Sequence, residues 1–302
     1  MTRVTTQCTQ SPVAVKPSLA RVASRRWRIR GSTFVSMLWL MVVLMCAIAP
    51  QVLISIDPNE QDISRRCLSP ALSATDGVRN VLGTDQLGRD ILSRIVWGSR
   101  ISILVGAAAA VLSVAMGVPL GLLCGYYGGK TDRIIMHIAD IQLAFPSMVL
   151  AIALVAVLGP STRNMIIVLA IGGWVQHARV IRGQVLSLRE KEYVKAAEAL
   201  GATDAEIILR HLVPATFPTI LVIATFQVAG AIVTEAALTF LGLGVSRVVP
   251  SWGGMLSDAQ DYLVTAGWMA TIPGFVIAMT VLSINIAGDS LRQAFDRRFR
   301  DR

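Results

Sequence analysis

Charge is scarce in this sequence. Asp, Glu, Lys and Arg make up 16% of its 302 residues, where a soluble domain carries about 25%. Hydrophobic residues reach 54% and the mean hydropathy is +0.60, which excludes an ordinary soluble domain and points to a membrane protein. Acids are scarcer than bases, 19 against 28, leaving a net charge of +9. No RNA- or DNA-binding pattern accompanies the basic excess, so nucleic acid is not an expected partner. The four cysteines, Cys8, Cys46, Cys67 and Cys124, are scattered singly along the chain, which excludes a disulfide framework within one compartment. His137, His177 and His211 lack metal-ligand spacing, and no cluster of His, Cys and carboxylates gathers as an enzyme's centre would require. Neither a metal site nor a catalytic residue is expected in this chain.

One segment comes close to a nucleotide site. Gly128-Gly129-Lys130-Thr131 resembles the end of a phosphate-binding loop, but that motif needs a glycine where Cys124 stands. The segment also follows an apolar run instead of a strand. It reads as a turn, with Lys130 and Arg133 anchoring a membrane edge, so any ATP hydrolysis must come from another chain.

Apolar runs are what the sequence has in quantity. About 20 apolar residues in helix cross a bilayer core, and six stretches qualify: Phe34–Ile56, Ile101–Leu123, Ile134–Leu158, Met165–Val185, Phe217–Leu243 and Val264–Ile286. Six crossings put both termini on one side. Most of the 28 Lys and Arg fall on that side, which makes it cytoplasmic by the positive-inside rule. A basic stretch before an apolar one, then Ala47-Ile48-Ala49, resembles a cleavable signal peptide. Pro50 and the apolar residues that continue to Ile56 argue for a retained anchor instead.

The division expected is a cytoplasmic tail over 1–33, a first span over 34–56, an external loop over 57–100, a core over 101–295 and a cytoplasmic tail over 296–302. The first tail, with Pro12, Pro17 and Arg25-Arg26-Trp27-Arg28, has no apolar periodicity and reads as mobile, turning amphipathic at the membrane. In the second span Gly117, Gly121 and Gly125 recur every four residues, clearing one face for close helix packing. Asp140 and Glu235 lie within apolar spans, where charge is costly. They are candidates for the pathway or for polar links inside the bundle.

The strongest pattern lies between the fourth and fifth spans, over 187–214. Tyr193, Ala196, Ala197 and Leu200 repeat at i, i+3, i+4 and i+7, giving a small apolar face to a helix that otherwise carries Glu192, Lys195 and Glu198. Gly201 ends that helix, and Ala202 leads on to Thr203. Thr203 and Glu206, with Asp204 between them, form a capping-box start for a second helix that Pro214 is expected to close. A helix, a glycine hinge and a second helix make a knob suited to a groove on a partner.

These residues resemble the EAA loop of ABC importer permeases, with Ala196, Ala197 and Gly201 in register and Pro214 thirteen residues after the glycine. Lys195 stands where that loop usually has Glu, and Val213 where it has Leu. Independently, Leu82-Gly83-Thr84-Asp85-Gln86-Leu87-Gly88-Arg89-Asp90 through Arg100 is similar to the signature of the C-type permease of dipeptide, oligopeptide and nickel importers. Gly128–Asp132, Phe145-Pro146, Phe240-Leu241-Gly242-Leu243-Gly244, Trp252-Gly253 and Gly288-Asp289 match the same family in order, so the resemblance covers about residues 30–295.

The resemblance implies an all-α fold of six transmembrane helices, the type I ABC importer permease fold, in the bacterial inner membrane with both termini cytoplasmic. It implies a homologous B-type permease, two cytoplasmic ATPase subunits that hold ATP and Mg, and an external substrate-binding protein as partners. Peptides are the expected substrate, with nickel or another small solute as the alternative. A secondary transporter driven by Asp140 and Glu235 is the rival within transport, and a membrane enzyme the rival outside it.

In the external loop Ile91, Leu92, Ile95 and Val96 form an apolar stripe flanked by Asp85, Arg89, Asp90, Arg94 and Arg100. An interfacial helix leading into the second span is expected, its charges turned outward to steer a docking protein. The alternative is that Arg89 and Asp90 brace the loop against that span.

Overall fold

A computed structural model describes residues 31–70, 80–244 and 248–300, with side chains as far as 295. The basic tail with its Arg25–Arg28 segment, Cys8 and the side chains of the C-terminal tail lie outside the described residues. The protein is helical, and among the described residues there is no strand. Five helices are long and apolar enough to cross a membrane, or six if one sharply bent pair counts as a single span.

Helix α1, Gly31–Ile48, is followed by the single turn α2, Pro50–Leu53. The first span was expected to continue to Ile56. It stops at Ile48 because Pro50 has no N–H for the helix ladder, and Ile54 is already extended. Helix α3, Ile91–Tyr127, is about 55 Å long at 1.5 Å per residue, well beyond a hydrocarbon core of about 30 Å. Residues 91–97 are therefore the first turns of α3, continuous with the second span, and not a separate interfacial helix. Ile91 and Val96 are buried against protein.

Gly128 and Gly129, at φ of 62° and 56°, reverse the chain in the left-handed region where a Cβ is disfavoured. Helices α4, Gly129–Leu143, and α5, Ser147–Leu158, follow, bent by 89° to one another. The third span is broken where one continuous helix was expected. Pro146 lacks the N–H, and its ring keeps Phe145 out of helical geometry.

Helix α6, Thr162–Leu188, starts at Ser161, whose side chain accepts from Asn164 N at 3.1 Å. Then come α7, Glu192–Ala199, and the turn α8, Asp204–Glu206. A π-helical stretch, Ile207–Leu212, leads straight into α9, Val213–Phe240. Pro214 was expected to close a helix here, yet it sits in the first turn of α9. The wider π turn leaves room for the ring and needs no N–H from it. Helices α10, Trp252–Asp258, and α11, Trp268–Arg300, complete the chain.

The core is the contact of α3 with α6, flanked by α9. Between helices in lipid the hydrophobic effect is weak, so close approach and van der Waals packing decide association. A Cβ on Gly117 would collide with the Trp174 carbonyl and come within 2.6 Å of His177 Cβ, and one on Gly121 would lie 2.6 Å from the Ala178 carbonyl. The four-residue glycine spacing thus presses α3 onto the backbone of α6. Helix α1 is peripheral, tied to α11 by Trp39 Nε1 donating to Thr280 Oγ1 at 3.1 Å and by Thr33 and Ser290 hydroxyls 3.3 Å apart.

Gly117→Ala and Gly121→Ala should each destabilise the purified protein by about 1–3 kcal/mol through overpacking. Gly183→Ala, with nothing within 4 Å of its added Cβ, should be neutral or slightly stabilising, since alanine is the better helix former. Thermal unfolding in detergent makes the comparison. Equal melting points for all three variants would rule out the close approach as the limiting contact.

Candidate functional site

The knob is built as its sequence dictates, with one addition. Helix α7 ends in a Schellman turn: Gly201 N donates to Glu198 O at 2.9 Å and Ala202 N to Ala197 O at 3.1 Å, with Gly201 at φ 86°. The capping box forms in full, Glu206 N donating to Thr203 Oγ1 at 3.3 Å and Thr203 N to the Glu206 carboxylate at 3.1 Å. The addition is Val194, 3% exposed, which anchors α7 to Ile207 and Leu212 of the π stretch, Val118 and Leu122 of α3, Ile181 and Val185 of α6, and Ile220 of α9. Val194 lies off the Tyr193–Ala196–Ala197–Leu200 stripe, so the apolar face read from spacing is the one left outside.

That face is open. Leu200 is 88% exposed, Tyr193 is 47% exposed, and Ala196 is exposed with them. Polar contacts hold the rim: Tyr126 donates to Asp204 Oδ1 at 2.9 Å, and Arg189 Nη1 to the Tyr126 carbonyl at 3.1 Å. Lys195 pairs with Glu190 at 2.9 Å, and its hydrogen bond holds the Glu190 carboxyl below the usual range. Glu192 and Glu198 point to solvent.

At the opposite end of the bundle the charged segment is turned inward. Arg89 Nε donates to Asp85 Oδ2 at 2.6 Å, and Arg94 Nη1 to the same oxygen at 2.7 Å. Both arginines also reach Asp258 Oδ2 of α10, at 2.9 and 3.0 Å. Asp85, Arg89, Asp90 and Arg94 are all at most 6% exposed. The expected outward strip is corrected: Asp85, Arg89 and Arg94, with Asp258, clamp the loop and the start of α3 to α10. Asp90 caps α3 through Ser93 N at 2.7 Å, and burial raises its pKa. Arg100 alone of the five is exposed. Asp258 was missed in the sequence because nothing in spacing links it to an arginine 164 or 169 residues away.

The two acids within spans are not brought together. Asp140 is at the surface, in an ion pair with Arg179, and two turns earlier Asp132 pairs with Arg182. With Gln142, which accepts from Trp174 Nε1 at 2.8 Å, they strap α4 alongside α6. Glu235 is fully buried between α9 and α3, accepting from Thr239 Oγ1 at 2.9 Å and Ser102 Oγ at 3.4 Å. Among the described residues no group of three or more His, Cys, Asp or Glu is placed to hold a metal.

Comparison with known proteins agrees with this architecture. The family described as binding-protein-dependent transport system inner membrane component matches residues 117–301. A dipeptide transport system permease protein of Alkalihalophilus pseudofirmus is 40% identical, over 91% of this chain and 89% of its own length. An oligopeptide transport system permease protein of Bacillus subtilis is 38% identical over 94% and 91%. A glutathione transport system permease protein of Pectobacterium atrosepticum is 43% identical over 71% of each. In solved structures, a chain of the MetNI methionine ABC transporter in an inward-facing conformation superposes with a TM-score of 0.55 at 19% identity, covering 65% of this chain and 94% of that one. That likeness shows the fold.

Breaking a buried ion pair by removing one partner costs about 3–5 kcal/mol, because the other charge is left buried and unpaired. Asp85→Asn and Asp258→Asn should therefore lower thermal stability severely. Asp140→Asn, which breaks a surface pair with side chains 45% and 60% exposed, should cost less than about 1 kcal/mol. Melting points in detergent separate the two cases. Tolerance of Asp85→Asn at the level of Asp140→Asn would remove the clamp from the account.

Proposed function

Because the chain belongs to the family of binding-protein-dependent transport inner-membrane components, we propose that it is the permease subunit of an ATP-driven importer of dipeptides or oligopeptides. Relatives named for dipeptide and oligopeptide transport support peptides as cargo, and glutathione, named for a third, is itself a small peptide. The subunit is a multi-pass inner-membrane protein that supplies a path and a lever without chemistry of its own. A homologous B-type permease completes the path, two cytoplasmic ATPase subunits hold ATP and Mg, and an external binding protein delivers the substrate. Both termini and the knob face the cytoplasm, as the distribution of Lys and Arg supports.

One observation carries the coupling role: a helix rooted by Val194 at 3% exposure holds Leu200 at its tip at 88%. With Tyr193 and Ala196 exposed on the same face, Leu200 completes an apolar patch that a groove on an ATPase subunit would cover. When ATP closes the ATPase pair, each groove moves and the knob follows. Val194, Ile207 and Leu212 pass the displacement to the ends of α3, α6 and α9, with which they share one buried cluster, and the bundle rocks between inward- and outward-open states.

The test separates coupling from folding. Leu200→Asp leaves an exposed position exposed, so stability should shift by no more than about 0.5 kcal/mol, while ATP-dependent uptake by the reconstituted transporter should fall at least about tenfold. Val194→Asp buries an unpaired charge and should instead destabilise the protein itself. Cysteine at Ala197 or Ala202 should crosslink to an ATPase subunit. Normal uptake by Leu200→Asp, or no crosslink in an assembled complex, would sink the coupling role. Competition for uptake by a peptide library tests the cargo separately.

A further inference from the structure

At the end of the bundle opposite the knob, a cavity of about 730 Å³ opens between the α2 turn, α3 and the residues that precede α10. Its lining includes Ser55, Asp57, Asn59, Trp97, Arg100 and Pro250. Two of these carry charge that the protein does not use. Arg100 makes no ion pair or side-chain hydrogen bond among the described residues, whereas Arg89 and Arg94 beside it each reach two carboxylates. Asp57 accepts a backbone hydrogen bond from Asn59 N at 2.8 Å and has no cation within ion-pair distance among the described residues. Both are exposed, and opposite charges without a protein partner at one open cavity suit a zwitterion, a ligand with an anionic group and an ammonium.

The surroundings say which zwitterion. The cavity is lined by the α2 turn that follows α1, and α1, which packs mainly against α3 and α11 and keeps most of its large apolar side chains exposed, stands at the rim of the bundle. Ile48 and Val52, close in sequence to the lining residues Gln51 and Ile54, are 78% and 84% exposed. On α3 Leu104, one turn from Arg100, is 52% exposed, and Val111 on the same face is 67% exposed. A charged mouth above an apolar, outward-facing skirt is the profile of a lipid at the membrane–water boundary, where a tryptophan such as Trp97 is also favoured. A soluble peptide has no use for the skirt.

We propose that this cavity is a headgroup site for phosphatidylethanolamine, with Arg100 meeting the phosphate, Asp57 the primary ammonium, and the acyl chains lying along Ile48, Val52 and Leu104. A carboxylate accepts hydrogen bonds from a primary ammonium but none from the trimethylammonium of phosphatidylcholine, so Asp57 supplies selectivity. The arginine supplies affinity through charge-assisted hydrogen bonds.

The assembled transporter, purified in detergent with a mixture of the two lipids and weighed by native mass spectrometry, tests this. The wild type should retain phosphatidylethanolamine in preference to phosphatidylcholine. Arg100→Ala should lower retention of both about tenfold, the loss of one strong polar contact, and Arg100→Lys should restore most of it. Asp57→Asn should keep retention of phosphatidylcholine and abolish the preference, which tests the site even if Arg100→Ala fails to assemble. The proposal is overturned if neither Asp57→Asn nor Arg100→Ala changes retention. It is overturned equally if excess free dipeptide displaces the lipid and binds Arg100 in its place. A cysteine at Ser55 that crosslinks to the second permease would overturn it as well, since the cavity would then be a subunit contact.

Discussion

The approach of α3 to α6 along Gly117, Gly121 and Gly125 is the contact from which the rest of the structure takes its frame. Water drives apolar side chains together in a soluble core, but lipid is as apolar as leucine, and helices there are held by how closely their backbones can meet. Three glycines on one face let α3 settle against the Trp174 and Ala178 carbonyls. Because α3 runs unbroken from Ile91 to Tyr127, one rod touches both ends of the molecule. Its start is clamped through Arg94 to Asp85 and Asp258, and its end meets the knob through Tyr126 and Asp204.

The loop over 192–212 divides its apolar residues between a buried root and an exposed face, the division the proposed coupling role needs. Val194, Ile207 and Leu212 are inside, while Tyr193 and Leu200 are outside. The π stretch matters because it joins the second arm of the knob, from Asp204, to α9 in one continuous helical path, while α7 is fixed to that path by the turn at Gly201 and by Val194. Had Pro214 ended a helix, a flexible joint would stand between the exposed face and the bundle.

Charge is used in three ways, set by burial. Asp85, Arg89, Arg94 and Asp258 are desolvated and mutually paired, a costly arrangement that is stable only when every partner is present. Asp132–Arg182 and Asp140–Arg179 lie nearer the surface and contribute mainly geometry, keeping α4 beside α6 ahead of the break at Pro146. Glu235 is buried with only hydroxyls as partners, a polar link between α9 and α3.

The sequence by itself determined what depends on neighbours along the chain. Apolar run lengths gave the spans, the glycine period gave the packing face, and Gly201 with the Thr203–Glu206 box gave the knob, because caps and turns are settled within a few residues. Tertiary structure decided what depends on distant partners. The charges of residues 85–94 could equally have faced solvent until Asp258, remote in the chain, met them in space. Val194 could not be distinguished as the buried root of α7 until α3 and α6 supplied its neighbours. The course of the chain at Pro146 and Pro214 also had to wait: both residues withhold the same N–H, yet one bends the chain by 89° and the other is carried through a π turn. That choice lies in how the surrounding helices satisfy the backbone, and no local pattern of residues encodes it.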